Sequence, residues 1–102
     1  MIHITKEDYE RIFKDLSEQI DEENPVATEL MIDGCLLTVE GWGSHDSTTS
    51  KFWDGAWGAG GWFTETTHYF GISDVTADCV DEEGNVVETD FDASQIEHEW
   101  EA

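Results

Sequence analysis

Tyr9, Ile12, Phe13, Leu16 and Ile20 recur three or four residues apart, and Glu7, Asp8, Glu10, Arg11, Lys14, Asp15 and Glu18 fill the positions between them. That period puts the apolar side chains on one stripe and predicts an amphipathic helix. Thr5 stands at the N-cap with Asp8 three residues on, and Ile4 and Tyr9 occupy the positions of a hydrophobic staple. Glu7 with Arg11 and Glu10 with Lys14 are i,i+4 pairs in the favourable order, each worth ~0.2–0.5 kcal/mol, so the basic residues read as used locally. Pro25 biases Asn24 away from helical geometry, and the helix should end by Asn24.

The period then changes to two. Thr28 to Glu40 holds two short apolar runs around Asp33-Gly34, a pair favoured at the centre of a type I' hairpin turn. With Ile32 opposite Cys35, Leu30 falls opposite Leu37 and Thr28 opposite Val39. Leu30, Ile32, Cys35, Leu37 and Val39 then share the core face, and Met31 and Leu36 share the other with Glu29, Thr38 and Glu40. Met31 and Leu36 require a cover, from the aromatic segment 41–63 or from another subunit.

Thr64 to Val80 is rich in Thr, Val, Ile and aromatics, with Gly71 as a candidate bulge or bend. The turn-forming Asp81-Glu82-Glu83-Gly84 and the strand-like Asn85 to Thr89 complete a second hairpin. Asp92-Ala93-Ser94-Gln95 has capping-box spacing, Phe91 and Ile96 stand at staple positions, and a short helix is expected to run to about Trp100. The expected fold is therefore α+β: an N-terminal amphipathic helix packed on an antiparallel sheet of about four strands in two hairpins, with a short C-terminal helix. The 102 residues fit one domain, 1–102.

Residues 41–63 fit neither period. This stretch holds Trp42, Trp53, Trp57 and Trp62, together with Phe52, Phe63 and six of the nine glycines (Gly41, Gly43, Gly55, Gly58, Gly60 and Gly61). It reads as a long Gly/Trp-rich connection whose aromatics argue against disorder. Either its rings fold back to complete the core, or they form a binding surface of the kind in which Trp dominates the energy. In a mixed outcome Trp42 and Trp62, nearest the strands, are buried, while Trp53 and Trp57 are more exposed.

Charge changes the picture most. Asp and Glu number 25 against four Lys and Arg, a net charge of −21. The basic groups are Lys6, Arg11, Lys14 and Lys51. None follows Lys51, although Asp54, Glu65, Asp74, Asp78, Asp81, Glu82, Glu83, Glu88, Asp90, Asp92, Glu97, Glu99 and Glu101 do. Such a field costs stability by self-repulsion and attracts cationic partners over long range. With 38% hydrophobic and 12% aromatic residues the chain should nonetheless fold. Direct binding to nucleic acid or to an anionic membrane is disfavoured, because both rest on positive charge. The N-terminus lacks the signature of an export signal and no apolar run is long enough to span a bilayer, so a cytoplasmic location is expected. Cys35 and Cys79 make neither a disulfide framework nor a zinc site and read as small buried apolar residues.

Catalytic chemistry is not suggested. His3, His45, His68 and His98 are scattered, no nucleophile elbow or phosphate loop is present, and His68, alternating with Thr66 and Phe70, reads as a hydrogen-bonded structural histidine. Asp78, Asp81, Glu82 and Glu83 do not follow the order of an EF-hand loop. No cofactor, metal or enzymatic activity is expected. The leading expectation is a protein-binding inhibitor that mimics DNA towards a basic DNA-binding protein, of anti-restriction or anti-CRISPR type. Its partner-binding residues would be Trp53, Asp54, Trp57, Asp74, Asp78, Asp81, Glu82, Glu83, Glu88, Asp90 and Asp92. The alternatives are an immunity protein that neutralises one basic nuclease toxin, and a non-catalytic homo-oligomeric interaction or assembly protein.

Overall fold

In the computed structural model, which describes residues 1–54 and 61–101, one helix packs on a four-stranded antiparallel sheet, giving an α+β fold. The order along the chain is α1 (Lys6–Glu18), β1 (Glu23–Ile32), β2 (Cys35–Asp54), β3 (Gly61–Val80), a 3-10 turn (Ala93–Gln95) and β4 (His98–Glu101), and the strands lie in the order β1-β2-β3-β4. Among the described residues no helix is long and apolar enough to cross a membrane.

The start of α1 is fixed by a reciprocal capping box: Asp8 N–H donates to Thr5 Oγ1 at 3.2 Å, and Thr5 N–H donates to the Asp8 carboxylate at 2.9 Å. The helix ends earlier than Pro25 requires, at Glu18, because Gln19 and Asn24 take over the backbone. Gln19 Nε2 donates to the carbonyls of Asp15 and Ala27, and Asn24 Nδ2 to that of Gln19. Pro25 instead sits in β1, an edge strand, where a missing N–H is tolerated. Among the described residues the one basic ring within 4 Å of a carboxylate is His3, beside Asp90; the expected Glu7–Arg11 and Glu10–Lys14 pairs do not close.

Asp33 and Gly34 have φ of 50° and 78°, both positive as a type I' turn demands, and the register Ile32↔Cys35, Leu30↔Leu37, Thr28↔Val39 is the one the pattern requires. Ile12 and Leu16 of the helix lie in one buried cluster with Val26, Leu30, Leu37, Val39, Ile72, Val75 and Cys79 of the sheet and Ile96 of the C-terminal segment. Gly43 permits this layering, since a Cβ there would stand 2.7 Å from Ile20 Cγ1. Met31 and Leu36 receive no full cover, and Met31 is 61% exposed.

Four expectations are corrected. The described part of residues 41–63 is not an irregular connection: β2 runs through Trp42 and Trp53 to Asp54, and β3 begins at Gly61 and carries Trp62, paired in register from Trp42↔Ser73 to Asp54↔Gly61, while residues 55–60 of that stretch lie outside the described residues. The bulge falls not at Gly71 but where Gly41 faces Asp74 and Val75, with Asp74 at φ 53°. The second hairpin keeps its turn, closed by Asp81 accepting from the Glu83 and Asn85 N–H groups, but its return is a single bridge, Val80↔Val86, rather than a strand. The C-terminal helix is only the 3-10 turn. Asp92 caps it through Ser94 N–H at 3.0 Å, Ile96 enters the core, and the chain then extends to pair Trp100 with Phe70 as β4. Burying Ile96 and adding a strand offsets the loss of a helix too short to be stable by itself.

The β2–β3 ladder continues past the last partner of β1 at Ser44 and of β4 at Tyr69, which faces Asp46, so from Ser47 to Asp54 and from Gly61 to His68 it is a two-stranded arm. The molecule accordingly measures 72 × 23 × 17 Å, and its radius of gyration of 19.8 Å far exceeds the ~13 Å of a compact chain this long.

Candidate partner-binding surface

Strand alternation separates two sheet faces. The inner one meets α1. The outer one carries Glu23 and Glu29 of β1, Glu40, Trp42 and Asp46 of β2, Tyr69 and Asp78 of β3, and Glu99 and Glu101 of β4. All seven of these carboxylates are exposed. They lie in cross-strand rows: Glu29, Thr38 and Asp78; then Ala27, Glu40 and Thr76; then Glu23, Ser44, Gly71 and Glu99; then Asp46, Tyr69 and Glu101. No basic side chain shares this face, because Lys6, Arg11 and Lys14 are on the helix and Lys51 alternates onto the opposite side of the arm. The face extends from Thr38 to Asp46 along β2, ~27 Å at ~3.4 Å per residue. Seven charges over that length give one per ~4 Å, comparable to the one per 3.4 Å of a single DNA strand.

Two grooves open on this face beside its aromatic residues. One, of about 370 Å³, is lined by Asp46, Tyr69, Glu99, Trp100 and Glu101, and the other, of about 540 Å³, by Glu40, Trp42, Asp74 and Thr76 with residues of β1. Each places carboxylates beside an aromatic ring, an arrangement that suits a Lys or Arg side chain. Trp42 is 41% exposed.

The residues expected to bind a partner do not form one patch. Asp78 belongs to the outer face and Asp74 to its groove, but Asp81, Glu82 and Glu83 line a separate groove with Asp33, Gly34 and Cys35 beyond the end of β3, and Glu88 lies exposed in the segment after it. Asp81, Asp90 and Asp92 are committed to the chain itself. The Asn85, Ile4 and Ser94 groups respectively are the main donors that hold their carboxyls below the ordinary aspartate range. Asp54 closes the described part of β2 opposite Gly61, far from Asp78 along the ladder, and Trp57 lies outside the described residues.

Trp53 and Trp62 pair across the arm with centroids 5.6 Å apart, at 57% and 70% exposure, so Trp62 is the more open of the two rather than buried. The arm is nearly neutral: from Ser47 to His68 only Asp54 and Glu65 oppose Lys51, a net −1 of the chain's −21. Charge is thus concentrated on the body and exposed indole on the arm. Pattern reading missed Glu23, Glu29, Glu40, Asp46, Glu99 and Glu101, although the alternation His98-Glu99-Trp100-Glu101 already had the period of a strand with one acidic face. No family model, curated protein or solved structure matches this chain.

Proposed function

We propose that this protein is an acidic inhibitor that acts by binding, presenting its outer sheet face to a basic DNA-binding protein in place of DNA. One observation carries the reading: seven carboxylates and no cation on a single open face, at nearly the linear charge density of one DNA strand. A protein built to meet that density is steered towards this face over a Debye length and docks faster than neutral surfaces do. Exposed Trp42, on the same face, supplies an apolar anchor that slows dissociation. An immunity protein directed at one nuclease toxin would use the same surface, and breadth of inhibition separates the two.

The test is competition against labelled duplex for a panel of restriction enzymes, CRISPR effectors and nucleases. The expected result is displacement of DNA from at least one, weakening with salt, and a lower association rate for a Glu29→Lys, Glu40→Lys, Asp78→Lys triple variant. Equal association rates for parent and triple variant would reject the steering role of this face.

A second reading has its own support. Among the described residues neither edge of the arm has a strand partner, and its described end exposes two tryptophans, features that suit edge-to-edge self-assembly. Sedimentation at micromolar concentration decides it: monomer alone removes this reading.

A further inference from the structure

We propose that His45 and His68 form a two-histidine site for a zinc, nickel or copper ion where the arm leaves the body. The two residues are diagonal neighbours on one face of the ladder, since His45 pairs with Phe70 and His68 with Ser47. Their rings meet with Nε2 of His45 2.9 Å from Nδ1 of His68. Two nitrogens bound to one ion at ~2.0–2.1 Å stand about 2.9 Å apart at a right angle and about 3.3 Å apart in a tetrahedron, so chelation needs an opening of a few tenths of an ångström and a tilt of both rings that turns their lone pairs off the nitrogen–nitrogen line onto the ion.

His45 is already oriented as a ligand. Its Nδ1 lies 3.0 Å from the Asp21 carbonyl, which can only accept, so Nδ1 carries the proton and Nε2 of the neutral ring presents its lone pair towards His68. Metal-bound imidazoles are held in this way by a backbone carbonyl on the far nitrogen. Rotation of the ring is further restrained by Phe70, stacked on it at 4.6 Å and 6°, with Trp100 stacked on Phe70 in turn. In the metal-free protein the His68 Nδ1–H donates to His45 Nε2. On binding, His68 moves that proton to its own Nε2, both rings stay neutral, and each gives one lone pair.

Glu22, Glu23 and Asp46 line a groove of about 590 Å³ with His45 and Ser47, supplying negative charge beside the site. No third side chain completes a cluster of three or more ligands among the described residues, so water fills the remaining positions and the site is weaker than a structural zinc centre. Imidazole selects borderline transition ions, whereas the many carboxylates of the surface attract any divalent ion without selecting it.

Titration of the full chain with Ni²⁺ and Zn²⁺ in millimolar Mg²⁺, followed by calorimetry and imidazole NMR, tests the site. One ion per chain is expected, with the ring signals of His45 and His68 shifting and those of His3 and His98 not, and with affinity rising from Mn²⁺ through Co²⁺ to Cu²⁺. Exposed His68 changed to Ala should keep the circular dichroism of the parent and lose affinity at least about tenfold. Unchanged affinity in His68→Ala, displacement by Mg²⁺, or equal shifts at all four histidines would overturn the proposal. If the variant does not fold, the pattern of ring shifts in the parent decides alone.

Discussion

Trp53 and Trp62 face each other directly across the far end of β2 and β3, their rings edge to face at 64°. Below them the arm is polar, closed by the hydroxyls of Thr49 and Thr66 at 3.2 Å, and among the described residues no third strand joins it. Two-stranded ribbons are marginal in water, so this aromatic pair carries much of the local order.

Trp62→Ala should remove a contact worth ~0.5–1.5 kcal/mol beyond its buried area. The loss should stay local. Amide exchange is expected to quicken from Ser47 to Trp53 and from Trp62 to His68, while amides of Leu37 and Val39 and the thermal midpoint hold. A uniform rise in exchange across the sheet would show instead that arm and body unfold together.

Gly43 lies under the helix C-terminus, where an added methyl would meet Ile20 Cγ1 at 2.7 Å and Val26 Cγ1 at 3.2 Å. Gly43→Ala should therefore destabilise by about 1–3 kcal/mol through overpacking. For a chain of this size that lowers the thermal midpoint by roughly 4–8 °C per kcal/mol. Ile20→Ala in the same chain should recover part of the loss, because it removes the nearer obstacle. Additive effects of the two substitutions in a thermal melt would rule out the contact.

Where side chains meet the core, periodicity was enough to read the fold. The stripe from Tyr9 to Ile20, the Thr5–Asp8 box and the Leu30–Leu37 register each follow from the need to bury one face. The arm escaped that logic because no other described element covers it. Ser47, Thr48, Thr49 and Ser50 occupy both faces, so no apolar alternation marks the strand. Gly41 and Gly43, which resemble loop residues, are there for close approach: to Ser73 and Val75 in one case, to Ile20 and Val26 in the other. At the C-terminus the Asp92 cap was legible but the outcome was not. Whether the chain winds on or extends depended on the free edge of β3 beside Phe70, a tertiary fact. The same limit hid the acidic face: Glu29 and Asp78 are distant in sequence and adjacent only across β2.

Cys79 is buried beside Val39 and Leu37 in the core cluster, and burial, followed by the neighbouring Cys35, pushes its thiol above the ordinary cysteine range. Since the thiolate is the reactive form, Cys79 should be nearly inert to thiol reagents in the folded protein, and half-buried Cys35 should react first. Mass mapping of partially alkylated protein checks the order. Labelling of Cys79 ahead of Cys35 would contradict its burial.

Asp90 fastens the N-terminus to the C-terminal segment: its carboxylate accepts from the Ile4 N–H at 2.6 Å and from the His3 ring, while its own N–H donates to the Ile2 carbonyl at 3.1 Å. The Ile4 N–H chiefly, then His3, holds its carboxyl below the ordinary 3.8. A pKa lowered by folding means that the unfolded chain binds the proton more readily. The contribution of Asp90 is therefore complete above about pH 4 and lost as pH falls through the lower, folded value. Asp90→Asn keeps the shape and removes the ionised acceptor. Its urea midpoint should lie below that of the parent at neutral pH, and the two should converge in acid. Relief of repulsion among the other carboxylates acts on both proteins, so the difference between them isolates Asp90. A gap that persists unchanged below pH ~3 would mean that Asp90 acts through shape and not through its charge.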